Sequence, residues 1–130
     1  MLDTWEREST DAVRSQVESE GGDPRTKIRR AGLLTFSDER LPIDLAVRDW
    51  ARRDPTVAER LRRVDNYRIE YARELFGKIY SDPDEIEARA LLAFCLAVGR
   101  HFLAADHNER THLEVVARAA DVLVGDTPEH

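Results

Sequence analysis

The sequence of 130 residues contains one cysteine, Cys95. A single cysteine cannot form a disulfide within the chain, and this usage favours a reducing, cytoplasmic setting. No apolar run reaches the roughly 20 residues that a membrane-spanning helix needs, so no membrane association is expected. Residues 1–6 have neither the basic start nor the apolar stretch of a signal peptide.

Strand patterns, internal repeats and low-complexity linkers are also lacking. With 42% hydrophobic and 35% charged residues, the composition is that of a globular protein. The sequence therefore predicts an all-α fold: a six-helix domain over residues 1–125, followed by a frayed tail at residues 126–130.

The formal net charge of −6 argues against DNA binding by this chain alone, because duplex affinity depends on Lys and Arg neutralising phosphates. The charge is uneven, with a net of −5 over residues 1–23, +5 over residues 24–63 and −6 over residues 64–130. We interpret the arginine pairs of the basic middle as solvated helix faces.

Helix boundaries are well marked. The first helix is expected from Leu2 to Glu20, where Gly21-Gly22 ends it, and Asp23-Pro24 starts the second, which turns Ile28, Ala31, Leu34 and Phe36 inward. Pro42 opens the third helix, and Asp54-Pro55 the fourth and longest, expected to reach Tyr80. A fifth helix is expected from Asp84 to Ala105, and a sixth from Glu109 to Val124.

The sequence has few patterns that are typical of catalytic sites, and we expect neither an enzyme nor a cofactor. Gly21-Gly22 lacks the lysine of a phosphate loop, and no carboxylate pair is isolated among apolar residues. Cys95 has apolar neighbours and is interpreted as an inert core thiol. His101, His107 and His112 are spaced by six and five residues, which does not favour a metal site. We expect His107 and His112 at the surface and His101 in the core or an interface.

Arg68 is unusual because it lies within the apolar face of the long helix, between Val64 and Tyr71. Its guanidinium could reach solvent or an internal carboxylate such as Asp65 or Asp44. Alternatively it could anchor a ligand in a cavity with aromatic walls, whose tyrosine hydroxyls would add hydrogen bonds. The candidate ligand-binding residues on this second hypothesis are Trp50, Tyr67, Arg68, Tyr71 and Phe94.

Residues 41–65, with the junction Trp50-Ala-Arg-Arg-Asp-Pro55, resemble the middle of TetR-family transcriptional regulators, where a short helix leads into a long central one. Tyr67-x-x-x-Tyr71-x-x-x-Leu75-Phe76 and Glu85-x-x-Ala88-Arg89 continue the resemblance over nearly the whole chain. It implies a helical domain with an internal pocket for a small hydrophobic effector. The family's DNA-reading helix-turn-helix head has no counterpart here, so DNA would be contacted only through a head absent from this chain. The chain would then be either a fragment of a longer regulator or a headless relative.

The resemblance also implies a homodimer in which the last two helices of each subunit pack together. The fifth helix agrees with this, because Arg89 is its sole charged residue between Ala88 and Val98. The predicted interface residues are Ala90, Ala93, Ala97, Leu113, Val116, Ala120 and Leu123. The leading expectation is thus an effector-binding and dimerisation domain. A stand-alone helical homodimer acting as a protein-interaction module is the alternative, and a small enzyme or metal protein built around the histidines comes third.

Overall fold

The computed structural model describes residues 1–126. Over this range the all-α prediction is confirmed: the chain forms seven helical segments, and the one β-type pairing is a single bridge between His107 and Arg110. None of the described helices is both long and apolar enough to cross a membrane. The segments are α1 (Leu2–Ser9), α2 (Asp11–Glu20), α3 (Pro24–Thr35), α4 (Leu41–Ala51), α5 (Pro55–Phe76), α6 (Pro83–Gly99) and α7 (His112–Leu123).

The first predicted helix is divided at Thr10, which leaves helical geometry with φ −120° and ψ −90°. The Thr10 hydroxyl donates to the Glu6 carbonyl at 2.7 Å, a local bond of the kind that competes with regular helix. The break allows Trp5 to pack with α4 and α5, while Val13 and Val17 pack against α3 and α5.

Helix starts follow the predicted signals closely. The side chain of Asp23 accepts from the Thr26 N–H, and that of Asp54 accepts from the Thr56 N–H, so both cap the helices that begin at the following proline. Gly21 ends α2 with a φ of +71°, a left-handed conformation that suits glycine.

Helix α5 is central and packs against α1, α3, α4 and α6. One of its ends buries Val57 and Val64 with Trp5 and Val47 from α1 and α4. Tyr71 and Leu75 face α2 and α3 in the middle. Phe76 closes the other end, where it packs with Tyr80, Ala90 and Val124.

Two predicted helix ends were wrong. Helix α5 stops at Phe76 rather than Tyr80, because Tyr80 turns inward to stack on Phe76 and donates its hydroxyl to the carbonyl of Gly125. Helix α6 stops at Gly99 rather than Ala105, and residues 100–111 form a longer connection than the predicted turn. The predicted frayed tail falls mostly on residues 127–130, which lie outside the described residues.

Helix α7 is attached mainly at its two ends. At its start, His112 donates from Nε2 to the Arg100 carbonyl at 2.7 Å, and Thr111 and Glu114 form a reciprocal capping box within the helix itself. At its other end, Arg89 donates to the Leu123 carbonyl and Arg25 to the Val124 carbonyl, each at 2.7 Å. These cations satisfy carbonyls that have no partner within the helix. No residue between these ends is fully buried, so the middle of α7 packs loosely on the rest of the domain.

Candidate functional site

A mainly apolar cavity of about 380 Å³ lies between α3, α5, α6 and α7. Its walls include small side chains such as Ala31, Gly32 and Ala97, which leave the space open. Leu33 and Leu113 border it and are 56% and 73% exposed, so the cavity reaches the surface there. The volume is within the range of small-molecule sites, roughly 300–1,000 Å³.

Four of the five predicted ligand-binding residues line this cavity: Tyr67, Arg68, Tyr71 and Phe94. Trp50 does not. It packs instead with the cluster of Trp5, Val47 and Val57 at the far end of α5. Arg48, two residues earlier on α4, is the side chain that reaches the Phe94 ring, at 5.6 Å, so Trp50 lies on the other side of that helix.

The tyrosine rings line the cavity, but their hydroxyls are already bonded to carboxylates of α2. Tyr67 donates to Asp11 and Tyr71 donates to Glu18, both at 2.8 Å. Burial raises the pKa of Tyr71 well above its ordinary value, and the hydrogen bond to Glu18 raises it further. The Tyr71 hydroxyl therefore stays protonated, and the expectation that these hydroxyls are free for a ligand is not met.

Arg68 pairs with both carboxylates that the sequence suggested. Its side chain is 6% exposed and lies 2.9 Å from Asp44 and 3.1 Å from Asp65. Arg48 contacts the same two aspartates, each at 2.8 Å. These four residues, which we call the Arg-Asp network, balance two positive against two negative charges. Arg68 thus has a structural partner and also forms part of the cavity wall.

Phe36 connects the Arg-Asp network to the cavity. Its fully buried ring lies 4.8 Å from the Arg68 guanidinium and meets the Phe94 ring edge-on, with ring centres 5.3 Å apart. The Phe36 carbonyl lies 2.6 Å from Nε2 of His101 and accepts from Arg100 at 3.3 Å. Sequence reasoning missed Arg100, since its position after Gly99 placed it inside the overpredicted fifth helix.

All seven residues predicted for the dimer interface lie on the cavity wall. They are Ala90, Ala93 and Ala97 of α6, and Leu113, Val116, Ala120 and Leu123 of α7. Ala90 and Ala97 are buried in the single chain. The exposed part of α6 includes Leu91, Leu92 and Cys95, which we call the outer stripe.

Cys95 is therefore not a core thiol, and that interpretation was wrong. Its apolar sequence neighbours are divided between two faces of α6: Ala97 turns inward, while Leu91 and Leu92 lie outside with the cysteine. Because α6 is apolar on both faces, its sequence did not indicate which face the rest of the domain would cover.

The histidines hold the connection between α6 and α7. His112 donates from Nε2 to the Arg100 carbonyl at 2.7 Å, and its Nδ1 lies 3.3 Å from Nε2 of His107. Both rings are half-buried rather than at the surface as expected, because they stack on each other. Within residues 1–126, no group of three or more His, Cys, Asp or Glu side chains is placed to hold a metal ion.

Comparison with known proteins finds no matching family model, no matching curated protein and no matching solved structure. The TetR resemblance therefore stays an expectation that rests on the sequence pattern. The all-α class and the cavity rest on the structure.

Proposed function

We propose that this chain is the effector-binding and dimerisation part of a TetR-type transcriptional regulator, which senses a small hydrophobic ligand. The observation that carries the ligand proposal is the apolar cavity between α3, α5, α6 and α7. In this proposal, DNA is contacted by a helix-turn-helix unit that residues 1–130 do not include.

The size and the opening of the cavity support a small-molecule ligand. Its volume of about 380 Å³ is within the range of small-molecule sites, roughly 300–1,000 Å³. The opening beside Leu33 and Leu113 would give a ligand its route in.

The attachment of α7 supports sensing. This helix forms one wall of the cavity, yet it is fixed mainly by His112 at one end and by Arg25 and Arg89 at the other. A ligand that fills the space under its middle adds apolar contacts that the empty protein lacks. Filling the cavity would therefore hold α7 more firmly on α6.

The experiment for ligand binding compares two substitutions on α7. Ala120 lines the cavity, whereas its neighbour Ala119 is equally half-buried but does not. Ala120→Phe should fill the cavity and abolish the rise in melting temperature that decanol produces in the wild type. Ala119→Phe should keep that rise. Equal responses of the two variants would show that decanol binds elsewhere, and no response of the wild type would end the ligand proposal.

Dimerisation is assigned to the outer stripe of α6, because Leu91 and Leu92 are 57% and 53% exposed in the single chain. In a two-fold symmetric dimer the same patch meets its own copy, so the two Cys95 residues would come close together. We expect a bismaleimide reagent to link the wild-type chains through Cys95. Leu92→Arg should prevent this, and Ile43→Arg, an exposed apolar site on α4, should not. A wild type that sediments as a monomer at micromolar concentration would contradict the assignment.

A second candidate is a helical homodimer that acts as a protein-interaction module without a small ligand. The exposed outer stripe supports this second candidate as much as the first, because a protein-interaction module needs no ligand cavity. The two candidates differ in the Ala120→Phe experiment, because the module has no decanol response to lose.

A further inference from the structure

Three arginines contribute to the cavity wall, and their charges are balanced differently. Arg29 pairs with Asp121 at 2.7 Å, and both are partly exposed. Arg68 is balanced by the aspartates of the Arg-Asp network. Arg100 has no carboxylate within ion-pair distance among residues 1–126, so it is the unbalanced cation of the wall.

Arg100 has one hydrogen bond to a protein acceptor and one buried donor without a partner. A guanidinium has five N–H groups. One of them donates to the Phe36 carbonyl at 3.3 Å, and His101 lies closer to the same oxygen, at 2.6 Å. The Nε of Arg100 is shielded from solvent and has no hydrogen-bond partner. A buried N–H without an acceptor costs free energy, which an acceptor atom of a ligand at this Nε would offset.

Arg68 provides a second unused donor in the same part of the cavity. Its Nε is also shielded and without a partner, and its guanidinium lies over the Phe36 ring. Because the Arg-Asp network already balances its charge, Arg68 can donate a hydrogen bond without adding net charge. Both unused N–H groups therefore belong to residues in contact with Phe36, at the end of α3.

We propose that the ligand is an amphipathic monocarboxylate whose acidic group is held by Arg100, with Arg68 as an additional hydrogen-bond donor. This inference rests on the ligand-binding function proposed above and names the class of ligand. The apolar body lies between α6 and α7. At about 30 Å³ for each water-sized group, 380 Å³ accommodates roughly a dozen non-hydrogen atoms. One unbalanced cation fits one carboxylate.

The test measures the affinities of decanoate, decanol and decylamine by calorimetry at pH 7.5. These compounds share a ten-carbon chain and differ in the head group. We expect the wild type to bind decanoate at least 10-fold more tightly than decanol, and decylamine most weakly, because a charge-assisted hydrogen bond to arginine is available only to the carboxylate. Arg100→Met should bring decanoate to within about 3-fold of decanol while leaving decanol unchanged.

Arg29→Met is the matched control, since it removes a paired arginine from the same wall and should preserve the preference for decanoate. If Arg100→Met does not fold, Arg100→Gln removes the charge while keeping a donor for the Phe36 carbonyl. Equal binding of decanoate and decanol by the wild type would overturn this inference but leave the cavity as a ligand site. A preference that survives in the Arg100 variant would overturn the role of Arg100. Binding of none of the three compounds would overturn both this inference and the proposed function.

Discussion

Replacing Arg68 by methionine tests the structural role of the Arg-Asp network. Methionine keeps much of the apolar stem but removes the guanidinium that lies 2.9 Å from Asp44. Asp44 is 1% exposed, so it would be left inside the protein with Arg48 as its remaining partner. Removing one member of a buried ion pair typically costs roughly 3–5 kcal/mol, and we expect about 3 kcal/mol because Arg48 remains.

The matched control is Arg53→Met. Arg53 also pairs with an aspartate at 2.8 Å, but its side chain and that of Asp49 are 67% and 61% exposed. An exposed pair of this kind contributes roughly 0–1 kcal/mol. The assay is urea unfolding at pH 7 and 25 °C, followed by circular dichroism.

A double variant separates the pair from the rest of the fold. Arg68→Met with Asp44→Leu removes one charge of each sign and leaves Arg48 paired with Asp65. Its loss of unfolding free energy should be smaller than the sum of the two single losses by about 1–3 kcal/mol. Additive losses, or an Arg68→Met loss no larger than that of Arg53→Met, would refute the reasoning.

Three further predictions concern the start of α7, the contact between α2 and α5, and the affinity for DNA. Thr111→Ala removes the capping box and should lower the free energy of unfolding by about 1 kcal/mol in urea titrations, whereas Thr111→Ser should not. Hydrogen bonds from Lys27 and Tyr71 lower the pKa of Glu18, so its stabilisation is present at neutral pH and lost as the pH falls below about 4.5. Glu18→Gln should therefore destabilise the protein more at pH 7 than at pH 3, and an equal loss at both would contradict this. With a net charge of −6, the chain alone should bind duplex DNA weakly and in a salt-sensitive manner, and sub-micromolar sequence-specific binding in a mobility-shift assay would contradict that.

The sequence predicted helix starts far better than helix ends. Asp23-Pro24 and Asp54-Pro55 act locally, since the aspartate caps the N–H groups of the residues that follow it. The end of α5 depends on a distant contact, because Tyr80 leaves the helical path to reach the carbonyl of Gly125. No local pattern around Tyr80 encodes a partner 45 residues away.

The sequence predicted only part of the cavity wall, because some of its contacts join residues that are distant in the chain. Helical spacing placed Arg68 and Tyr71 on the inner side of α5, and the structure has them there. Spacing also identified the small apolar residues of α6, but it could not say whether α7 or a second chain would cover them. Arg100 was missed because its role depends on the carbonyl of Phe36, which the fold brings from α3.

The most direct test of the central claim, that the cavity holds a small hydrophobic ligand, is methyl NMR during titration with decanoate. Val116, Leu123 and Leu96 line the cavity, whereas Val57 and Val64 belong to the cluster at the other end of α5. We predict saturable shifts of the methyl signals of Val116, Leu123 and Leu96, and unchanged methyl signals from Val57 and Val64. Unshifted cavity methyl groups, with changes confined to Leu91 and Leu92 of the outer stripe, would contradict it.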